Sequence, residues 1–304
     1  MIHRVTRMSA VLLLACLADS AARQSKAEDP APPSSESSVR AQLEERASPF
    51  RAETSWDDGL AEMSYYRATD SIYDKEREYT RVVMVNREWF SPITGVKAEP
   101  PTGASIAALK MNIAEEIPTE NYNYRFLTTL FARRDDLRPL KLVVSSQEWC
   151  GASYKHLRWK DDGLQIQSHN YVNGDHTWTI GPSAVPYEAL FLLARDAAAS
   201  KQPMPLRLLA PQRTTRMVPP TTVSAVLLPG VPTSISVPLG EFQATPVTLK
   251  WDGPATTFIV ESEAPFRVLR YECGTAKGEL QSVERRAYWD RKWESKAYPS
   301  GQAP

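Results

Sequence analysis

Residues 154–178 read YKHLRWKDDGLQIQSHNYVNGDHTW, and this stretch contains two strong signals for β-hairpins. Asp162-Gly163 and Asn173-Gly174 are dipeptides of the kind that favours two-residue hairpin loops. Apolar and polar residues alternate between the two dipeptides, as in a strand with one buried face. The stretch therefore predicts three consecutive antiparallel strands.

The register of these hairpins predicts a cluster of rings on one face of the three strands. Side chains alternate between the two faces of a strand, so the loop length decides which residues share a face. The candidate ligand-binding residues on this face are Tyr154, His156, His169, Tyr171, His176 and Trp178, with Arg158 and Gln167 beside them. Loops of four residues would keep these side chains together, whereas a three-residue loop at either turn would separate them. The opposite face, predicted to be core, carries Leu157, Trp159, Leu164 and Ile166.

Three interpretations of the ring-bearing face stay open. It is the solvent-exposed side of a meander, a surface for a ligand or partner, or a metal site. Neutral imidazoles on neighbouring strands, here His156, His169 and His176, could bind Zn²⁺. We predict no cofactor, because the wet face of an antiparallel sheet carries such side chains without any ligand.

The rest of the sequence also favours antiparallel β-structure, since short β-branched and aromatic runs alternate with Pro and Gly. The predicted strands cover 61–66, 79–85, 104–112, 122–132, 140–146, 222–228, 234–239, 242–251, 256–261, 266–271, 278–285 and 288–293. One helix is predicted near 186–199, PYEALFLLARDAAA, because Pro186 suits a first helical position and apolar residues recur at helical spacing. The fold class is therefore mainly antiparallel β, as a barrel or as paired half-barrels with one helix.

The N-terminus, MIHRVTRMSAVLLLAC, is typical of a signal peptide, because two arginines precede an apolar run too short to span a bilayer. LLAC at 13–16 fits a bacterial lipobox, in which residues 1–15 are removed and Cys16 is lipidated. Leu17 stands where proteins retained in the inner membrane carry Asp, so we expect an anchor in the outer membrane, facing the periplasm. Cleavage after Ala22 is the alternative and would leave a soluble periplasmic protein.

The composition suggests how the mature chain is divided. Residues 16–50 are rich in Pro, Ser and acidic residues and are expected to form a disordered tether. An N-terminal β region with the helix is expected at 51–200 and a C-terminal β region at 201–304. The two regions could form one continuous domain.

Charge and motifs argue against several functional classes. The 36 basic residues balance the 36 acidic ones, whereas a nucleic-acid-binding domain normally carries a basic surplus. The sequence contains no GxGxxG, GxxxxGK[ST], HExxH or GxSxG motif. It indicates no catalytic residue, and we expect a protein that is not an enzyme.

The three cysteines are Cys16, Cys150 and Cys273. Once Cys16 is lipidated, only Cys150 and Cys273 are left in an oxidising compartment, so one disulfide is possible between them. The alternative is that Cys150 is a buried free thiol.

Several motifs resemble those of a family of secreted or lipid-anchored bacterial envelope proteins of unknown function. They are WDDGLAEMSYY at 56–66, ALKMN at 108–112, NYNY at 121–124, SSQEWCG at 145–151, SHNYVNGD at 168–175 and RRAYW at 285–289. Many members bear the name septum formation inhibitor Maf. Maf proteins proper are cytoplasmic nucleotide pyrophosphatases with an arginine-rich phosphate motif near their start, which this sequence lacks. The C-terminal part, from VPLGEFQATPVTLKWDG onward, is also similar to half-barrel periplasmic proteins of unknown function. The resemblance implies a fold and a compartment, and no catalytic residue.

Two hypotheses about function follow. The first is a non-enzymatic envelope lipoprotein, held at the membrane by its anchor, whose β-domain binds an apolar ligand or an envelope protein. The second is a periplasmic hydrolase or metalloprotein that uses the histidine-rich face. A deep apolar cavity favours the first, and converging imidazoles favour the second.

Overall fold

The computed structural model describes residues 48–290, so the predicted signal peptide, Cys16 and nearly all of the predicted tether lie outside it. The described strands are β1 (Ala61–Ile72), β2 (Lys75–Ser91), β3 (Val96–Lys97), β4 (Ile106–Pro118), β5 (Asn123–Arg133), β6 (Pro139–Glu148), β7 (Gly151–Lys160), β8 (Gly163–Asn170), β9 (His176–Ile180), β10 (Ala184–Pro186), β11 (Met204–Leu209), β12 (Thr222–Pro229), β13 (Thr233–Val237), β14 (Gly240–Lys250), β15 (Thr256–Glu261), β16 (Val268–Cys273) and β17 (Ala276–Arg286). The helices are α1 (Pro49–Ala52) and α2 (Leu190–Ser200), and 3₁₀ turns cover Thr54–Asp57 and Tyr187–Ala189.

All of these strands belong to one sheet. Across the sheet the order is β9-β8-β7-β6-β5-β4-β2-β1-β17-β16-β15-β14-β12-β11-β10, with β3 beside the end of β2 and β13 beside β14. The pairings are antiparallel except for the one between β10 and β11. For residues 48–290, the predicted fold class, mainly antiparallel β with one longer helix, is therefore confirmed.

Helix α2 lies inside the curl of this sheet. Every residue from Leu190 to Ala199 is buried, and strands from both halves of the sheet contribute to the same core cluster as the helix. A helix that is buried all round needs apolar or small side chains on every side, and LFLLARDAAA has only two exceptions. These are Arg195 and Asp196, which pair with Glu62 and Arg51 at 2.7 and 3.0 Å. No helix among residues 48–290 is long and apolar enough to cross a membrane.

With one exception, the predicted elements agree with the structure in type, and most differ at their ends. The α-helix begins at Leu190, four residues after the predicted start at Pro186, because Pro186 ends β10 and Tyr187–Ala189 form a 3₁₀ turn. The predicted strand at 288–293 is wrong for its described part, since residues 287–290 leave the sheet in a turn.

One end of the sheet gathers turns that are far apart in the sequence. The register places there the turns at 73–74, 119–122, 149–150 and 274–275, together with the longer loops at 171–175 and 251–255. Tyr73 and Asp74 both have positive φ, as in the type I′ turn that suits a two-residue hairpin. We call this end the aromatic end, because Tyr73, Tyr122, Trp149, Tyr171 and Trp251 lie on it.

Candidate functional site

The first predicted hairpin has the predicted faces. Its two-residue loop is Asp161-Asp162 rather than Asp162-Gly163, so Tyr154 pairs with His169 and His156 with Gln167. Each pairing partner lies two residues before the predicted one, and a shift of two residues leaves every side chain on its predicted face of the sheet. Tyr154, His156 and His169 therefore share one side. His169 Nδ1 lies 3.2 Å from Asp175 Oδ2, and burial lowers the pKa of His156. Leu157, Leu164 and Ile166 are buried on the opposite side, with Trp159 packed against them, as predicted.

The second predicted register is wrong. The loop has five residues, 171–175, and His176 and Trp178 pair with Ser168 and Ile166 on the core side of the sheet. The cause is the buried side chain of Asn170, whose Oδ1 accepts hydrogen bonds from the backbone N–H groups of Val172 and Asn173 at 2.8 and 2.9 Å. This bonding begins the loop directly after Asn170, so Asn173-Gly174 lies in its second half. An odd number of loop residues transfers the next strand's side chains to the other face.

The six predicted ligand-binding residues therefore do not form one surface. Tyr154, His156 and His169 face outward, whereas Trp178 packs against the core. The ring of His176 stacks on the ring of Trp178, with their centroids 5.3 Å apart. Tyr171 lies in the loop, and its hydroxyl donates to the Glu148 carboxylate. Among residues 48–290, no group of three or more His, Cys, Asp or Glu side chains could hold a metal ion.

The predicted disulfide is not formed, since Cys150 and Cys273 are both free thiols. Cys150 is exposed in the β6–β7 turn, with its Sγ 3.5 Å from the hydroxyl of Tyr122. Cys273 ends β16, and burial raises the pKa of its thiol to about 11. In the sheet, strands β5, β4, β2, β1 and β17 stand between β6 and β16, which separates the two thiols.

A cavity of about 170 Å³ lies inside the curled sheet, beside the start of α2. Its apolar wall is formed by side chains from α2 and from strands on two sides, among them Ile113, Phe191, Phe258 and Ala276. Trp251, Pro254 and Gly274, which also line it, belong to the turns of the aromatic end, so the cavity lies towards that end. A cavity with an apolar wall is the kind of feature that favours the first functional hypothesis over the second.

Charged side chains form one side of this cavity. Glu115 accepts hydrogen bonds from Arg81 at 2.7 Å and from Arg213 at 2.5 Å, and Arg213 also pairs with Asp70 at 2.8 Å. Burial raises the pKa of Glu115, but the charges of Arg213 and Arg81 outweigh burial and lower it to about 2. Thr275 donates to Asp70, which links the network to the β16–β17 turn.

The segment between β11 and β12, residues 210–221, brings Arg213 to the cavity. Lys155 is only 1% exposed, and its ammonium donates to the carbonyls of Gln212 and Thr214 at 2.6 and 3.0 Å. Burial lowers the pKa of Lys155 to about 8, although the charge of Glu188 opposes this. Ser153 also holds the segment, by donating to the carbonyl of Thr215. The position of Arg213 is thus determined by contacts on both sides of it.

Two buried polar atoms on the cavity-lining side chains have no hydrogen-bond partner among the described residues. They are Nη2 of Arg213 and Oε2 of Glu188. The other carboxylate oxygen of Glu188 accepts from the backbone N–H groups of Gln212 and Arg213, which holds the Glu188 side chain against the 210–221 segment. Burial raises the pKa of Glu188, although the hydrogen bonds from the backbone of Gln212 and Arg213 act to lower it. Buried polar atoms are normally satisfied, so this pair is a candidate contact for the polar end of a ligand.

The sequence analysis missed the charged residues of the cavity, although a signal for them exists. In β2 every second residue, Tyr79, Val83 and Val85 among them, faces inward, and Arg81 stands at one of these inward-facing positions. Glu115 lies in the same way between the inward-facing apolar residues of β4. A charged residue in the apolar phase of a strand indicates a buried charge that needs a partner. The partner Arg213 comes from a segment without strand or helix pattern, and no periodicity points to it.

Comparison with known proteins adds little to this geometry. No sequence-family model matches the chain. No curated protein matches it either. A solved structure to which it is similar is the beta-barrel-like protein of domain of unknown function DUF1849 from Brucella abortus, at 11% identity and a TM-score of 0.47 over 74% of this chain and 98% of that chain.

Proposed function

We propose that this protein is a non-enzymatic binding protein of the bacterial cell envelope, and that its interior cavity holds an apolar ligand with one polar end. The observation that carries the proposal is the combination of an apolar wall with the unpartnered atoms of Arg213 and Glu188. Apolar pockets with a few convergent polar groups are the usual form of small-molecule sites.

The chemistry of the cavity favours an acid as the polar end. The Arg213 guanidinium can donate to a carboxylate, and charge-assisted hydrogen bonds of this kind are among the stronger ones. Burial raises the pKa of Glu188, and in its protonated form this carboxyl would also be a hydrogen-bond donor to an acidic ligand. A cavity of about 170 Å³ accommodates a short chain or a single ring, or the end of a longer molecule.

We expect hexanoate to bind to the cavity and the substitution Ala276→Leu to weaken this binding at least tenfold. Ala276 lines the cavity, and a leucine there occupies the space of about two ligand methylenes, each worth about 0.8 kcal/mol when buried. Isothermal titration calorimetry measures both affinities. Acetate, which has the acid group without the chain, is expected to bind far more weakly than hexanoate.

The matched control is Lys277→Leu, one residue along β17 and on the exposed side of the strand. It introduces the same side chain without filling the cavity, so it should leave the affinity for hexanoate unchanged. If the Ala276→Leu and Lys277→Leu variants bind hexanoate with equal affinity, or if the protein binds acetate as tightly as hexanoate, the cavity is not the ligand site.

The second part of the proposal is a lipid anchor at Cys16, which lies outside the described residues. It is supported by the short apolar run before LLAC and by the Pro-, Ser- and acid-rich stretch after it. The substitution Cys16→Ser removes the thiol that would carry the lipid, so the variant should move from the membrane fraction to the soluble periplasmic fraction. Immunoblots of separated fractions measure this, and a variant that stays with the membranes would refute the anchor.

A further inference from the structure

A cleft of about 420 Å³ on the aromatic end has no part in the proposed ligand site. It lies between the β4–β5 turn and the β6–β7 turn, and two parallel rings form its apolar surface. Tyr122 and Trp149 stack with centroids 5.7 Å apart and planes 24° apart. Trp149 is 82% exposed, so one face of its ring is open to a ligand.

The turn that carries Trp149 is held in place although the ring itself is exposed. The Glu148 carboxylate accepts a hydrogen bond from the backbone N–H of Cys150 at 2.7 Å and another from the hydroxyl of Tyr171. Gly151 permits the close approach of Tyr171, because a Cβ at this position would lie 2.6 Å from that ring. An aromatic surface on a fixed turn loses little conformational entropy when a ligand binds.

Polar side chains surround the two rings and complete the cleft. The amides of Asn121 and Gln147 have no hydrogen-bond partner among residues 48–290, and each can both donate and accept. Asn123 and Arg125 also line the cleft and are both bound to Glu116, at 2.8 Å each. The cleft therefore combines flat apolar faces, free amides, a guanidinium paired with Glu116 and the carboxylate of Glu148, which disfavours an anionic ligand.

We propose that this cleft binds an uncharged carbohydrate chain. A pyranose ring has an apolar face of C–H groups that packs on an aromatic ring, while its edge carries hydroxyl groups that both donate and accept hydrogen bonds. The rings of Tyr122 and Trp149 fit the first feature, and the amides of Asn121 and Gln147 fit the second. A proline-rich peptide also packs on aromatic rings, but its carbonyls only accept and would leave the acceptor half of each amide unused.

The test is isothermal titration calorimetry of the full chain, with the tetramer of N-acetylglucosamine as one ligand and cellotetraose as the other. We expect at least one tetrasaccharide to bind, and Trp149→Ala to weaken that binding at least tenfold, because stacking on the exposed ring is lost. Trp149→Phe keeps a flat ring and should retain most of the affinity.

The control is Trp289→Ala, which removes another exposed tryptophan beside a tyrosine. Trp289 packs edge-on against Tyr288 at 72° and lines neither cavity, so this variant should bind as the unsubstituted protein does. The proposal is overturned if neither tetrasaccharide binds, or if the Trp149→Ala and Trp289→Ala variants bind equally well. Binding of a proline decamer that requires Trp149, without binding of either sugar, would assign the cleft to a peptide and would also overturn it.

Discussion

The substitution Glu115→Gln is expected to lower the free energy of unfolding by about 3–5 kcal/mol, the usual cost of breaking a buried ion pair from one side. Glutamine keeps the volume but not the charge, so Arg81 and Arg213 would lose the carboxylate that compensates both guanidinium groups. Asp70 would be the remaining acidic partner of Arg213. Urea denaturation followed by circular dichroism measures the effect.

The matched control is Glu116→Gln, the next residue in β4. Its side chain points to the opposite face and pairs with Arg125, which is largely exposed, while Glu116 itself is partly exposed. Exposed ion pairs contribute under about 1 kcal/mol, so this variant should unfold nearly as the unsubstituted protein does. Similar losses from the two substitutions would show that burial of the Glu115 network does not decide its contribution.

The acid dependence of stability follows from the same network. The pKa of Glu115 is about 2 in the folded chain, where burial raises it and the two arginines lower it more strongly, against an ordinary value of 4.5. A depressed folded pKa means that the carboxylate stabilises the fold above about pH 4.5, and that this contribution is lost as the pH falls towards 2. Because Glu115→Gln has no carboxyl group to protonate there, its stability should fall less than that of the unsubstituted protein over this interval.

The second large expected effect is a loss of about 3–5 kcal/mol on substitution of Arg195→Met. Arg195 lies on α2, and its guanidinium donates to both carboxylate oxygens of Glu62 and to the carbonyls of Pro265 and Phe266. It also covers the ring of Phe50, with its centre 4.7 Å from the ring centroid. Methionine would leave the buried carboxylate of Glu62, the buried carbonyl of Phe266 and the part-buried carbonyl of Pro265 without this donor. Urea denaturation measures the cost.

A double substitution distinguishes the lost ion pair from lost packing. Buried ion pairs replaced on both sides by apolar residues are often neutral in their effect, so Arg195→Met with Glu62→Leu should recover much of the stability lost in the single variant. Arg67→Met, at an exposed pair with Glu279, is the surface control and should cost under about 1 kcal/mol. A double variant as unstable as Arg195→Met would show that the packing of Arg195 on Phe50, rather than the buried charge, explains the loss.

The two hairpins of residues 154–178 show how far local sequence patterns reach. Asx-Gly dipeptides predict both loops, and at the first one the observed loop, Asp161-Asp162, has the same length as the predicted loop. At the second, Asn170 makes hydrogen bonds with the backbone that compete with Asn173-Gly174 for the start of the loop. Asn170 is held from outside the hairpin as well, because its amide donates to Ser153 and to the carbonyl of Thr215. Those distant contacts decided the face of His176.

Within residues 48–290, the sequence by itself determined the antiparallel β class, the longer helix and most of the buried faces, because alternation, turn residues and helical spacing are local properties of the chain. Only the tertiary structure decided what encloses the cavity. Arg81, Glu115 and Arg213 come from three segments, and Arg213 reaches the cavity because Lys155 and Ser153 hold the 210–221 segment. The same holds for the ring pair of Tyr122 and Trp149, which two separate turns bring together. Such meetings depend on the curl and register of the whole sheet, and local patterns carry no information about them.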